Sequence, residues 1–187
     1  GVALGGASYQ REEAGKTFPQ IFAMYAAAYF EAFGDHAGDL AMIAAKNHRN
    51  GTKNPLAHLR KDFGFDFCNT VSDKNPIVAE PLRVTDCSLI SDGAAALILV
   101  ADDVAADFDR AVTFRSMAHV QDVLPMSQRN LLAFEGPARA FDAAFSAAGI
   151  SVTDLDFAEV HDCFTIAELL CYEAMGLAET GKGSDVI

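Results

Sequence analysis

Residues 94–100 read Ala-Ala-Ala-Leu-Ile-Leu-Val, an unbroken apolar run opened by the turn Ser91-Asp92-Gly93 and closed by Asp102 and Asp103. A strand with one wet face alternates apolar and polar residues, whereas a continuous run suits a strand covered on both faces. Such strands belong to sheets flanked by helices, so the run predicts a layered α/β arrangement. The flanking sequence supplies the helices. Lys16-Thr17-Phe18-Pro19 has the form of a helix start, with Thr17 as cap and Pro19 in the first turn. Phe22, Ala26, Tyr29 and Phe33 then recur at helical spacing until Gly34, and these aromatics read as core rather than as a ligand cage. Asp39 is the expected cap of a second helix carrying Leu40, Ile43, Ala44 and Asn47. Residues 62–80 are turn-prone, and 81–85 read as a short strand.

A composition shift places the main boundary between about residues 101 and 110. Beyond it, a strand is expected over 111–114, extendable to 120, then a loop around Pro125. Gly136-Pro137 opens a helix with Ala138, Phe141, Ala144, Phe145 and Ala148 on one face and Gly149 as its stop. A strand over 157–160 and a helix from about 165 to 175 complete the series. Strand, helix, strand, helix is the order of α/β layering.

The junction of those last two elements carries the chemistry. Glu159-Val160-His161-Asp162-Cys163-Phe164 puts an imidazole and a thiol on the same face of an extended chain. Thr165-Ile166-Ala167-Glu168 follows with the form of a capping box. His161 and Cys163 are thereby expected at a strand's carboxyl end beside a helix amino terminus, where open α/β sheets keep ligands and where a helix dipole lowers a thiol's pKa. The alternative is a buried cysteine and a hydrogen-bonded core histidine. A metal site is disfavoured, because no further Cys or His lies at ligand spacing from this pair.

With 187 residues, 51% of them hydrophobic, the chain can bury a sizeable core. No apolar stretch is long enough to span a bilayer, so the reading is a soluble protein without membrane association. Four cysteines without paired spacing fit a reducing, cytoplasmic compartment. A net charge of −12 argues against nucleic-acid binding. One segment runs against that charge. Lys46, Arg49, Lys53, Arg60 and Lys61 fall between residues 46 and 61 with His48 and His58 and without an acidic residue. It is either a phosphate-holding segment or a solvated face, with turns expected at Asn50-Gly51 and Asn54-Pro55. Gly176 to Lys182 matches the opening of a phosphate-binding loop, but Gly183 stands where a Ser or Thr is needed and the segment follows a helix. Its glycines are expected to end that helix and form a loop.

Three motifs in order, Lys46-Asn47-His48-Arg49-Asn50-Gly51 with Asn54-Pro55, Ser91-Asp92-Gly93-Ala94-Ala95-Ala96, and Glu159-Val160-His161-Asp162-Cys163-Phe164, resemble the sterol-carrier-protein-type branch of the thiolase family. The resemblance runs from about Phe18 to Gly183. It implies a thiolase-like layered α/β fold, present in part. Residues 1–107 would be the remainder of the first half, including an inserted loop domain at about 9–86, and 108–187 the beginning of the second half.

The resemblance also implies the function: thiolytic cleavage of 3-ketoacyl-CoA or Claisen condensation of acyl-CoA, with coenzyme A thioesters as substrate and no covalently bound cofactor or metal. His161 would be the oxyanion-hole donor and Cys163 the acid/base thiol. Lys46, His48, Arg49 and Lys53 would contact the coenzyme A phosphates, and the full-length protein would be a homodimer or homotetramer. The family's nucleophile motif and its late Gly-His-Pro motif are absent from this sequence, and Cys68, Cys87 and Cys171 do not take the nucleophile's place. The chain therefore reads as an internal piece, inactive by itself. The competing readings are a thiolase-fold lyase working with a small acyl-CoA-binding partner, and a non-catalytic acyl-CoA- or lipid-binding protein.

Overall fold

The structure is a computed structural model that describes residues 15–123 and 126–187. The expected early strand ends at 1–8, the start of the loop domain at 9–14 and the Pro125 loop position lie outside the described residues.

Helix α1 (Phe18–Phe33) begins as expected. Thr17 accepts from the Gln20 amide while the Gln20 side chain accepts from the Thr17 amide, Pro19 sits in the first turn, and Gly34 closes the helix at φ 101°. Helix α2 (Ala37–Gly51) is capped differently: its N-cap is His36, and Asp39 lies within the first turn, accepting from His36 Nδ1 at 2.6 Å. A carboxylate there still meets the positive end of the helix. The helix also runs through Asn50-Gly51, so the expected turn there is replaced by its last helical residues, while Asn54-Pro55 does turn.

After the short helix α3 (Gly64–Cys68), β1 (Ile77–Ala79) and β2 (Leu82–Arg83) form an antiparallel hairpin. The strand expected over 81–85 is thus only its first part, because residues 84–86 tighten into a 3-10 turn. Helix α4 (Asp102–Ala105) is short, and α5 (Glu135–Ala148) ends on Gly149 at φ 66°. The α5 face predicted from sequence is the half-buried one. Helix α6 (Thr165–Ala174) is buried on every side from Thr165 to Tyr172.

The core forms where α1, α2 and α6 meet. Ala26, Tyr29, Leu40, Ile43, Leu82, Ile166, Leu169 and Leu170 are almost fully buried in one cluster with Cys163 and Phe164. Each large aliphatic side chain removed from water there contributes about 1.5–3 kcal/mol before entropy is counted. Phe22 of α1 stacks on Phe164 with ring centroids 4.5 Å apart, locking the start of α6 onto α1.

Three expected strands, 94–100, 111–120 and 157–160, are not paired strands among the described residues. Their side chains face solvent instead: Ile98 is 81% exposed and Phe157 80%. The sequence supplies the apolar side chains of a sheet core, but a strand holds only when a neighbouring strand takes up its backbone N–H and C=O groups. No described segment does so. Among the described residues, no helix is long and apolar enough to cross a membrane.

Candidate functional site

The turn at residues 161–164 is held from three sides. Behind it, Cys87 pairs with Phe164 in an antiparallel bridge, and the Ser88 amide donates to the Cys163 carbonyl at 3.0 Å. At the helix start the N-cap is Phe164, not Thr165, so the capping box expected from Thr165 and Glu168 does not form. Both side chains serve tertiary contacts instead. Thr165 Oγ1 donates to Asp86 Oδ1 at 3.0 Å, and Asp86 Oδ2 accepts from Arg83 Nε at 2.9 Å. Arg83 reaches on to Asn69 Oδ1 and the Ala37 carbonyl, so one buried relay connects α2, the hairpin and α6.

Glu168 faces α2. Lys46 Nζ donates to Glu168 Oε1 at 2.5 Å and to the Tyr172 hydroxyl at 2.5 Å, while Tyr172 itself donates to Glu168 Oε1. Asn47 Nδ2 donates to Glu168 Oε2 at 2.5 Å and to Asp162 Oδ2 at 2.6 Å. Burial and the Glu168 bond raise the Tyr172 phenol well above its ordinary range. Desolvation and the nearby Glu168 charge raise the Asp162 carboxyl, against the lowering effect of the Asn47 hydrogen bond.

Two cavities border this network. The larger, of about 790 Å³, is lined by Asn47, His48, Lys61, Phe63, Asp162 and Thr165 among others, with His58 and Lys74 adding positive or titratable groups. Burial lowers the pKa of His48, favouring its neutral form, and the His48 ring meets the Phe63 edge at 4.8 Å. Lys61 Nζ lies 4.9 Å from the Phe63 ring centroid. The second cavity, of about 560 Å³, is lined by Lys46, Asn47, Asn50, residues 158–160, Asp162 and Glu168.

The predicted site residues separate. His161 is exposed, whereas Cys163 is 6% exposed and sits in the main core. Neither lines either of these cavities, although Asp162 between them lines both. The expected lowering of the Cys163 pKa by the helix end is reversed, because burial pushes the thiol up to about 11. Lys46 has its charge matched by Glu168. Arg49 and Lys53 are exposed and line neither cavity, so of the four expected phosphate contacts only His48 borders the larger one. Gly176 and Gly181 take left-handed conformations after α6, and the Gly181 and Gly183 amides donate to Glu173 Oε1, as a helix stop and loop require.

Sequence reasoning missed the Arg83–Asp86–Thr165 relay and the roles of Asn47, Glu168 and Tyr172. The i, i+4 spacing of Glu168 and Tyr172 was the one visible signal.

Residues 118–187 match the family described as Thiolase C-terminal domain-like. The acetyl-CoA acetyltransferase of Methanothermobacter thermautotrophicus is 36% identical over 97% of this chain and 47% of its own length. The chain belongs to the thiolase family. Sterol carrier protein 2 of Gallus gallus, a further relative of this thiolase-family chain, is 31% identical over 90% of the chain and 31% of its own length. In fold, the chain superposes on a solved structure described as Ltp2-ChsH2(DUF35) aldolase with a TM-score of 0.86. That match has 20% identity and covers 99% of this chain and 49% of the other. The thiolase-family chain spans about half the length of the curated acetyltransferases it matches.

Proposed function

We propose that this chain contributes to an acyltransferase acting on coenzyme A thioesters, by thiolytic cleavage of 3-ketoacyl-CoA or Claisen condensation of acyl-CoA. The observation that carries the reading is the larger cavity. It joins part of the basic segment, His48, His58 and Lys61, to Asp162 and Thr165, which flank Cys163 in the motif. Lys61 and Lys74, with the Phe63 and Phe67 rings beside them in the lining, suit the phosphates and base of coenzyme A, and the acetyltransferase names of the relatives agree with it.

In this reading His161, exposed beside Asp162, is the donor to the thioester oxygen, where an N–H stabilises the negative charge that develops on the enolate. Cys163 is the proton-transferring thiol. Held up at about 11, it stays protonated at neutral pH and is suited to give a proton to a strongly basic carbanion. A nucleophilic role suits it poorly. The test is thiolysis of acetoacetyl-CoA and the reverse condensation by the full-length protein. Cys163→Ala is expected to abolish both, and retention of both rates would remove the thiol from the mechanism.

A lyase reading draws support from the aldolase named in the fold comparison. Carbon–carbon cleavage by the full-length protein that needs no free coenzyme A would select it.

A further inference from the structure

We propose that Asn47 is the positioning residue of the His161-Asp162-Cys163 turn, fastening it to α2 by donating from one amide to both Asp162 and Glu168. Asn47 Nδ2 lies 2.6 Å from Asp162 Oδ2 and 2.5 Å from Glu168 Oε2. Among the described residues, no strand pairing holds residues 155–162. Among the described residues, the backbone ties of the turn begin at Cys163, through Ser88 and Cys87. The amino-terminal side of the turn, where His161 sits, is therefore fixed to the core by the Asp162 side chain.

Residue type matters here. Two carboxylates facing one point repel, and Lys46 already supplies a cation to Glu168. A primary amide donates two protons without adding charge, so each carboxylate receives one charge-assisted bond. An aspartate in its place would bring a third negative group, and an apolar residue would leave both acceptors without this donor. Asn47 and Asp162 also line both cavities, so the bond lies at the border they share. A shift of the turn would move Asp162 and so change the shape of both cavities.

The catalytic part of this inference rests on the acyltransferase reading, and the experiment separates the two. In the full-length protein, Asn47→Ala is expected to speed amide exchange across residues 158–163 while leaving α1 residues 25–29 unchanged. It is expected to lower kcat about tenfold or more, as misplacement of a reacting group does, while KM for the acyl-CoA moves far less. Combined with Asp162→Ala, its effect on kcat is expected to be strongly non-additive. If Asn47→Ala does not fold, the near-isosteric Asn47→Leu carries the same readouts. Unchanged exchange in the turn, additive losses, or a loss carried wholly by KM would each overturn the positioning role. A wild-type protein with no thioester chemistry would refute the acyltransferase reading, while the exchange measurement would still decide the role of Asn47.

Discussion

Thr165, the first residue of α6, donates its hydroxyl to Asp86 across 3.0 Å although the two are 79 positions apart in the chain. Asp86 is 1% exposed and its partner Arg83 3% exposed, so the start of the helix is pinned by a desolvated ion pair. Removing one member of such a pair leaves the other charge buried. Asp86→Ala is expected to destabilise the protein by about 3–5 kcal/mol, whereas joint replacement by apolar residues (Arg83→Met with Asp86→Leu) should recover most of that loss. Urea unfolding of the three forms measures it, and a single-mutant loss near that of a surface pair would contradict the buried geometry.

All four thiols are raised by burial: Cys68 above its ordinary range, Cys163 and Cys171 to about 11 and Cys87 to about 12, from an ordinary value of 9.0. An acid whose folded pKa is the higher one loses its proton first in the unfolded chain. Stability is therefore fully present below about pH 9 and falls as pH rises toward 11 and 12. Under reducing conditions the urea midpoint should drop between pH 8 and pH 10.5, and iodoacetamide should label the native thiols slowly at pH 8. Labelling of Cys163 at the rate of free cysteine would contradict its burial.

Lys61 and Lys74 line the larger cavity, while Arg49 and Lys53 do not. With full-length protein, Lys61→Gln and Lys74→Gln should raise KM for coenzyme A several-fold, and Arg49→Gln and Lys53→Gln should leave it nearly unchanged. The steady-state comparison tests whether charge matters through the cavity or only through the overall field. Equal effects from all four would favour the second.

Tyr29 donates to Glu173 Oε1 at 2.5 Å, the same oxygen that receives the Gly181 and Gly183 amides. The loop after α6 is closed by that convergence. Tyr29→Phe should cost about 1.5–3 kcal/mol, the range for a hydrogen bond to a charged group, and should increase proteolytic nicking over 176–187. Gly183→Ala should act in the same direction, since an added Cβ would stand 2.9 Å from the Leu169 carbonyl oxygen. Wild-type resistance to proteolysis in both variants would argue against the closure.

Local chemistry made α1, α5 and α6 legible in the sequence: the Thr17 cap, the stops at Gly34 and Gly149, and apolar faces at helical spacing depend on neighbours within a turn or two. The motif at 159–164 could be found the same way, because residue types and their order are properties of the chain. Thr165 and Glu168 satisfy the capping pattern, yet their side chains turn to the distant Asp86 and Lys46, while Asp39 bonds the N-cap His36 from within the first turn.

Residue order sets which segments favour burial and which residue types carry the chemistry. Whether residues 94–100 or 157–160 become strands depends on backbone partners elsewhere, so composition could name the apolar runs but not pair them. Packing in three dimensions buries Cys163 and raises its pKa, leaves His161 exposed, and brings Asn47 to both Asp162 and Glu168. Desolvation and hydrogen bonding act through space over a few ångströms, and separation along the chain does not encode that distance.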